Sequence, residues 1–134
     1  MGQKRRILIA DDHAEILDEV RKLLEKDYEI VAAVEDGAQL VEAAFEHKPD
    51  LVITDISMPV MNGFEAAAKL RSRGLKADII FLTVQSTAAY VRKARSVGAN
   101  GYVLKVYANE QLPAAVAEVL SGRSYISPQL NVTQ

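Results

Sequence analysis

Arg6-Ile-Leu-Ile-Ala10-Asp11-Asp12 is the stretch from which the fold can be read: an unbroken apolar run that stops abruptly at two carboxylates. The run shows no polar alternation, as expected of a strand buried on both faces. Four later stretches share its character: Glu29-Ile-Val-Ala-Ala-Val34, Asp50-Leu-Val-Ile-Thr54, Asp78-Ile-Ile-Phe-Leu82 and Gly101-Tyr-Val-Leu104. Between them apolar residues recur at helical spacing. Ile16, Val20, Leu23 and Leu24 form one set, and Leu40, Ala43 and Ala44 the next. Phe64, Ala67, Ala68 and Leu70 follow, then Val91, Ala94 and Val97, and last Leu112, Val116, Val119 and Leu120. Asp12-His-Ala-Glu15 and Asn62-Gly-Phe-Glu65 read as capping boxes at helix starts. Gly74 and Gly98 stand where helices should stop. Strands alternating with helices predict a parallel sheet covered on both faces.

The bulk numbers set limits. A chain of 134 residues fits one domain with a real core. With 49% hydrophobic and 25% charged residues the composition is that of a folded globular protein. The formal net charge of −2 gives no general pull toward nucleic acid or anionic lipid. There is no cysteine, which excludes disulfides and thiolate metal sites. No apolar run approaches the length of a membrane span, and no apolar signal region follows the basic Met1–Arg6 stretch. These features predict a cytoplasmic location and no membrane contact. Residues 1–121 read as the domain. Residues 122–134 are polar, carry Pro128 and show no clear period, so they read as a terminal extension or the start of a linker.

The chemistry gathers at the ends of the apolar runs. The first ends at Asp11-Asp12, the third at Asp55, the fourth at Thr83 and the fifth at Lys105. In a parallel sheet all strand C-termini share one edge, where ligands bind. Each residue alone has a plainer reading: Asp12 as a helix cap, Asp55 as a turn residue, Thr83 as a cap, Lys105 as a solvated charge. Together, in these positions, they predict a site. Three close carboxylates repel unless compensated. Lys105 offsets one charge, and a hard divalent cation such as Mg²⁺ suits the rest. Metal and ammonium also suit a phosphoryl group, and a carboxylate can be its nucleophile. Asp55 is the best candidate, because it stands alone after its strand.

These residues resemble the receiver domains of bacterial two-component systems. The resemblance covers residues 5 to about 121 and rests on Asp11-Asp12, Asp55-Ile-Ser-Met-Pro59, Asn62-Gly63, Thr83, Gly98-Ala-Asn-Gly-Tyr102 and Lys105. It implies an α/β fold: a doubly wound, five-stranded parallel sheet in the order 2-1-3-4-5 with five helices, the flavodoxin-like receiver fold. It implies that Asp55 takes a phosphoryl group from a sensor histidine kinase or a small phosphodonor, with Mg²⁺ or Mn²⁺ present. Asp12, Asp55 and the Ser57 carbonyl would hold the metal, with Asp11 acting mainly through water. Lys105 would contact the phosphoryl group, and Thr83 and Tyr102 would form the switch pair, with Tyr102 mostly outward before phosphorylation. The chain would catalyse only its own phosphorylation and dephosphorylation. Ala10-Asp-Asp-His13, Tyr90-Val91 and Tyr125-Ile-Ser-Pro128 are similar to the NarL/FixJ subfamily, whose members usually continue into a LuxR-type helix-turn-helix. Such a regulator controls transcription through that output domain, not through direct nucleic-acid binding by the receiver. The signalling face would comprise the fourth helix, fifth strand and fifth helix, open to a partner or to a second copy in a homodimer. Val106-Tyr107 departs from the subfamily's usual Asp-Ala and puts a large ring near that face.

Other readings fit less well. A haloacid-dehalogenase-type phosphatase needs a second Asp two residues after its nucleophile, where this chain has Ser57. A flavin carrier of the same topology must cradle phosphate after its first strand, where Asp11 and Asp12 would repel it. A DNA-binding module would need a basic stripe. His13 and His47 read as residues near helix ends and not as phosphorylated groups.

Overall fold

The computed structural model describes residues 3–130. The elements run β1 (Arg6–Ala10), α1 (Ala14–Leu24), β2 (Glu29–Val34), α2 (Gly37–His47), β3 (Leu51–Thr54), α3 (Gly63–Ser72), β4 (Asp78–Thr83), α4 (Ala88–Ser96), β5 (Gly101–Leu104), α5 (Ala108–Leu120) and β6 (Tyr125–Ile126). A short 3-10 turn, Lys105–Tyr107, joins β5 to α5. Every strand pair is parallel, in the order β2-β1-β3-β4-β5-β6. The five expected strands thus take the expected order, and β6 adds a short edge from the stretch after Gly122. Residues 131–134 of that stretch lie outside the described residues.

Successive strand side chains point to opposite faces, so an unbroken apolar run feeds two cores at once. Leu8, Val52, Ile79, Phe81 and Tyr102 pack with α2, α3 and α4. Ile7, Ile9, Leu51, Ile53, Ile80 and Val103 pack with α1 and α5 on the other side. Each fully buried Leu or Ile contributes about 1.5–3 kcal/mol, so these two layers fix the strand register.

Helix ends follow the sequence unevenly. Asn62 caps α3 with the full expected capping box, its side chain accepting from Glu65 N–H and Glu65 returning a bond. Gly74 and Gly98 follow α3 and α4 with positive φ. The box expected at Asp12–Glu15 does not form. His13 is the N-cap of α1 and makes no side-chain cap bond. The preceding Asp11 accepts the His13 N–H instead, at 2.9 Å, which draws the turn toward the strand edge.

The chain reverses direction across the sheet at β1. From β1 it moves outward to β2, then crosses back to β3 on the other side. This places a crevice at the C-terminal ends of β1 and β3, between Asp11 and Asp55.

Candidate functional site

The backbone delivers the carboxylates first. Asp11 N–H donates to Val34 O and Asp55 N–H to Ala10 O, both at 3.0 Å, extending the ladder one residue past β1 and β3. The two side chains therefore face each other at the sheet edge. Asp11 is 2% and Asp55 5% exposed, while Asp12 stays open to solvent. Gly63 lets the next segment close over them: a Cβ there would overlap the Asp55 carbonyl oxygen. Its N–H donates to Ile56 O at 2.7 Å and holds the start of α3 against the site.

Lys105, just past β5, reaches between the carboxylates. Its Nζ lies 2.8 Å from Asp11 Oδ2 and donates to Asp55 Oδ2 at 2.9 Å. Burial alone would lower the pKa of this ammonium, but contact with Asp11 and Asp55 outweighs it and holds the value raised. Asp55 Oδ1 accepts the Ile56 N–H at 2.7 Å. Asp11 Oδ2 is buried and carries no directed hydrogen bond, although Lys105 is close. Asp11, Asp12, His13 and Asp55 each offer a ligand atom, all within 4.8 Å of one another. Three carboxylates against one ammonium leave two negative charges, which a divalent cation would cancel. Three carboxylate oxygens within reach of one another and this charge deficit fit Mg²⁺, with His13 the one nitrogen donor of the group.

Each site residue anticipated from the sequence falls at this edge except that Ser57 and Tyr102 lie on its flanks. Ser57 is exposed in the loop after Asp55. Thr83 is buried at the end of β4, and its hydroxyl accepts from Gln85 N–H at 3.2 Å. Tyr102 was expected mostly outward and is instead inward, 2% exposed, with its hydroxyl donating to Gln85 O at 2.7 Å. The ring fills space beneath the β4–α4 loop and the hydroxyl finds a partner there, which satisfies both ends of an amphipathic side chain. Burial, with Tyr90 and Asp55 nearby, pushes its phenol pKa up.

Two features had no clear sequence signal. His13 is not a bare helix-end residue: Nδ1 lies 3.0 Å from Asp11 Oδ1 and 3.1 Å from Asp12 Oδ1. The bond to Asp11, then the charges of Asp12 and Asp11, raise its pKa. Val60 adopts φ 71, and the Met61 N–H donates to Pro59 O across it at 2.7 Å. A β-branched residue is strained there, and the tight turn shapes the loop over Asp55.

Comparison with known proteins agrees with this geometry. The model for the response regulator receiver domain matches residues 7–117. The transcriptional regulatory protein DegU of Brevibacillus brevis is 36% identical over 129 residues, 95% of this chain and 55% of DegU. The chain therefore spans about half the length of that relative. A LuxR-family two-component response regulator from Aurantimonas superposes with TM-score 0.90 at 32% identity, covering 96% of this chain and 93% of the other. The receiver domain of the response regulator NarL of Mycobacterium tuberculosis gives TM-score 0.87 at 30% identity, covering 91% of this chain and all of that one.

Proposed function

The chain belongs to the response regulator receiver family, in its NarL/LuxR branch, and from that premise we propose that Asp55 is its phosphoacceptor. One Asp55 oxygen attacks phosphorus, forming a P–O bond as the donor's bond to phosphorus breaks and its electron pair leaves with the donor. The donor is a histidine kinase or a small phosphodonor. Asp11, Asp12, Asp55 and the Ser57 carbonyl would hold Mg²⁺ or Mn²⁺, with Asp11 acting mainly through water. When bound, the ion would neutralise charge on the phosphoryl oxygens. Lys105 supplies the ammonium that pairs with the same oxygens. The observation that carries this reading is Lys105 Nζ at 2.8 and 2.9 Å from Asp11 and Asp55, the two buried carboxylates just past β1 and β3.

The product adds charge and acceptor oxygens near Thr83. The Thr83 hydroxyl leaves Gln85 N–H for one of those oxygens, and Tyr102 responds through its bond to Gln85 O. The signal then leaves by α4, β5 and α5, a face suited to a partner or a second copy of the chain. Tyr107, half-buried at its edge, bears on which partner docks there. We read that partner as a DNA-binding output domain where the receiver is joined to one, or as a separate protein where it stands alone, and the location as the cytoplasm. Among the described residues no helix is long and apolar enough to cross a membrane.

The test is mass spectrometry after incubation with acetyl phosphate and Mg²⁺. One phosphoryl mass should map to Asp55, and Asp55→Asn should lose it while remaining folded. Normal labelling of that variant would refute the assignment.

A further inference from the structure

The stretch beyond α5 is stitched to β5 at Tyr102 and at Leu104, the residue directly before Lys105. Tyr125 and Ile126 pair with Gly101 and Tyr102 as β6. Ser127 N–H then donates to Tyr102 O at 2.9 Å. The ladder stops here, because the chain turns back on itself between Ser127 and Leu130. The next outward donor on β5 is the Leu104 N–H, in the residue directly before Lys105. It would be a buried donor without a partner, which is costly. The Ser127 side chain supplies one: its Oγ accepts from Leu104 N–H at 3.0 Å and donates onward to Gln111 Oε1 of α5. Gln111 Nε2 in turn donates to Gln129 Oε1 at 2.7 Å. Ser127 is fully buried, and Gln111 and Leu130 are buried too. Leu130 N–H closes a turn back to Ser127 O at 3.0 Å.

The network is satisfied throughout, and such networks fix a single geometry. It grips β5 at two backbone points, Tyr102 O and Leu104 N. One belongs to the residue whose ring sits beneath the β4–α4 loop. The other belongs to the peptide neighbour of the ammonium between Asp11 and Asp55. Gln129 also lines the cavity formed by Val84, Ser86, Leu104, Lys105, Val106 and Tyr107.

We propose that Ser127, with Gln111 and Gln129, is a positioning relay: it holds the Lys105 backbone in register and carries the state of the Asp55 site into the polypeptide past Leu130. The relay rests on the phosphoacceptor reading above. When the Lys105 head group leaves Asp55 Oδ2 for phosphoryl oxygens, and Tyr102 adjusts with Gln85, both handles on Ser127 feel the change. The two-state element is then β5 with its strap, and the strap is a second route, beside the α4, β5 and α5 face, by which the signal leaves along the chain.

Amide exchange on the full chain in Mg²⁺, with and without beryllofluoride as the phosphoryl mimic, tests the relay. In the parent, the amides of Ile56 and Lys105 should report occupancy, and those of Leu104 and Leu130 should change protection with them. In Ser127→Ala, Ile56 and Lys105 should still respond. Leu104 should lose about five-fold in protection, the factor that one net hydrogen bond represents, and the Leu130 response should disappear. Gln129 is exposed, so Gln129→Ala leaves the core intact even if Ser127→Ala does not fold. In that variant Leu104 should keep its response and Leu130 should lose much of it. A parent whose Leu130 ignores beryllofluoride while Ile56 and Lys105 respond overturns the relay alone. So does a Leu130 response that survives both substitutions. Silence at Ile56 and Lys105 as well would overturn the phosphoacceptor reading, and the relay with it.

Discussion

At Lys105 two costs are balanced against each other. Burying an ammonium is unfavourable, and so is holding Asp11 and Asp55 close as carboxylates. The contacts at 2.8 and 2.9 Å offset both at once. Removing one partner from a buried pair leaves the others uncompensated, which is worse than never having had the pair. Lys105→Met keeps the stem and deletes the charge. Without metal it should destabilise the domain by about 3 kcal/mol in urea unfolding at neutral pH. Adding Asp55→Asn should then recover part of the loss, because it removes one of the two repelling charges. The pair of substitutions is therefore expected to be non-additive. Equal urea midpoints for the parent and Lys105→Met would show that the ammonium contributes nothing. The same residue explains why the carboxylates can stand close together with no ligand between them.

At the scale of elements, the turn that leads from α5 into β6 is held by an exposed clasp. Arg123 donates to Glu118 Oε2 through Nε at 2.9 Å and Nη2 at 2.6 Å. The hydrogen bond from Arg123 holds the Glu118 carboxyl below its ordinary value of 4.5. An acid with a lowered folded pKa adds stability above its unfolded value, and loses it as pH falls through the folded one. Arg123→Ala should therefore destabilise the domain slightly at pH 7, and the difference from the parent should vanish below the lowered Glu118 value. Thermal melts across that range check it. A difference that grows on acidification would contradict the clasp. Strands, by contrast, needed no such detail to be read from the sequence. Ile7 to Ala10 and Leu51 to Thr54 are apolar on both faces, and only a sheet covered on both sides suits that. Tyr125–Ile126 carries no strand signal, because two residues show no period and their pairing depends on an edge that exists only after β5 has folded. The capping box expected at Asp12 does not form because Asp11 takes the His13 N–H, a choice set by the strand edge. Lys105 and the acids were legible as a group because strand ends converge. The inward Tyr102 was not, since a rotamer is decided by the space beneath another loop.

For the whole molecule, the site joins parts that are distant in sequence. Asp11 and Asp12 follow β1, Asp55 and Ser57 follow β3, and Lys105 follows β5. A ligand held across those loops binds the folded state and has no counterpart in the unfolded chain. Its binding free energy therefore adds to the stability of the entire unit. With two uncompensated negative charges at the edge, Mg²⁺ is the ligand to test. At a hundredfold excess over its Kd, linkage gives about 2.7 kcal/mol, roughly 10 °C in Tm for a domain of this size. EDTA should reverse the shift completely. Asp12→Ala should reduce it, because the exposed carboxylate is a direct ligand in the proposed set. Substitution of Glu42, an exposed acid on α2, should leave it unchanged. Asp12→Ala should also raise the metal-free Tm or leave it unaltered, since it removes repulsion without opening a cavity. That opposite sign in the two conditions separates a ligand from a structural residue. If Mg²⁺ raises the Tm of Asp12→Ala as much as that of the parent, or if phosphorylation by acetyl phosphate proceeds equally in EDTA, the acids at the sheet edge do not hold the ion.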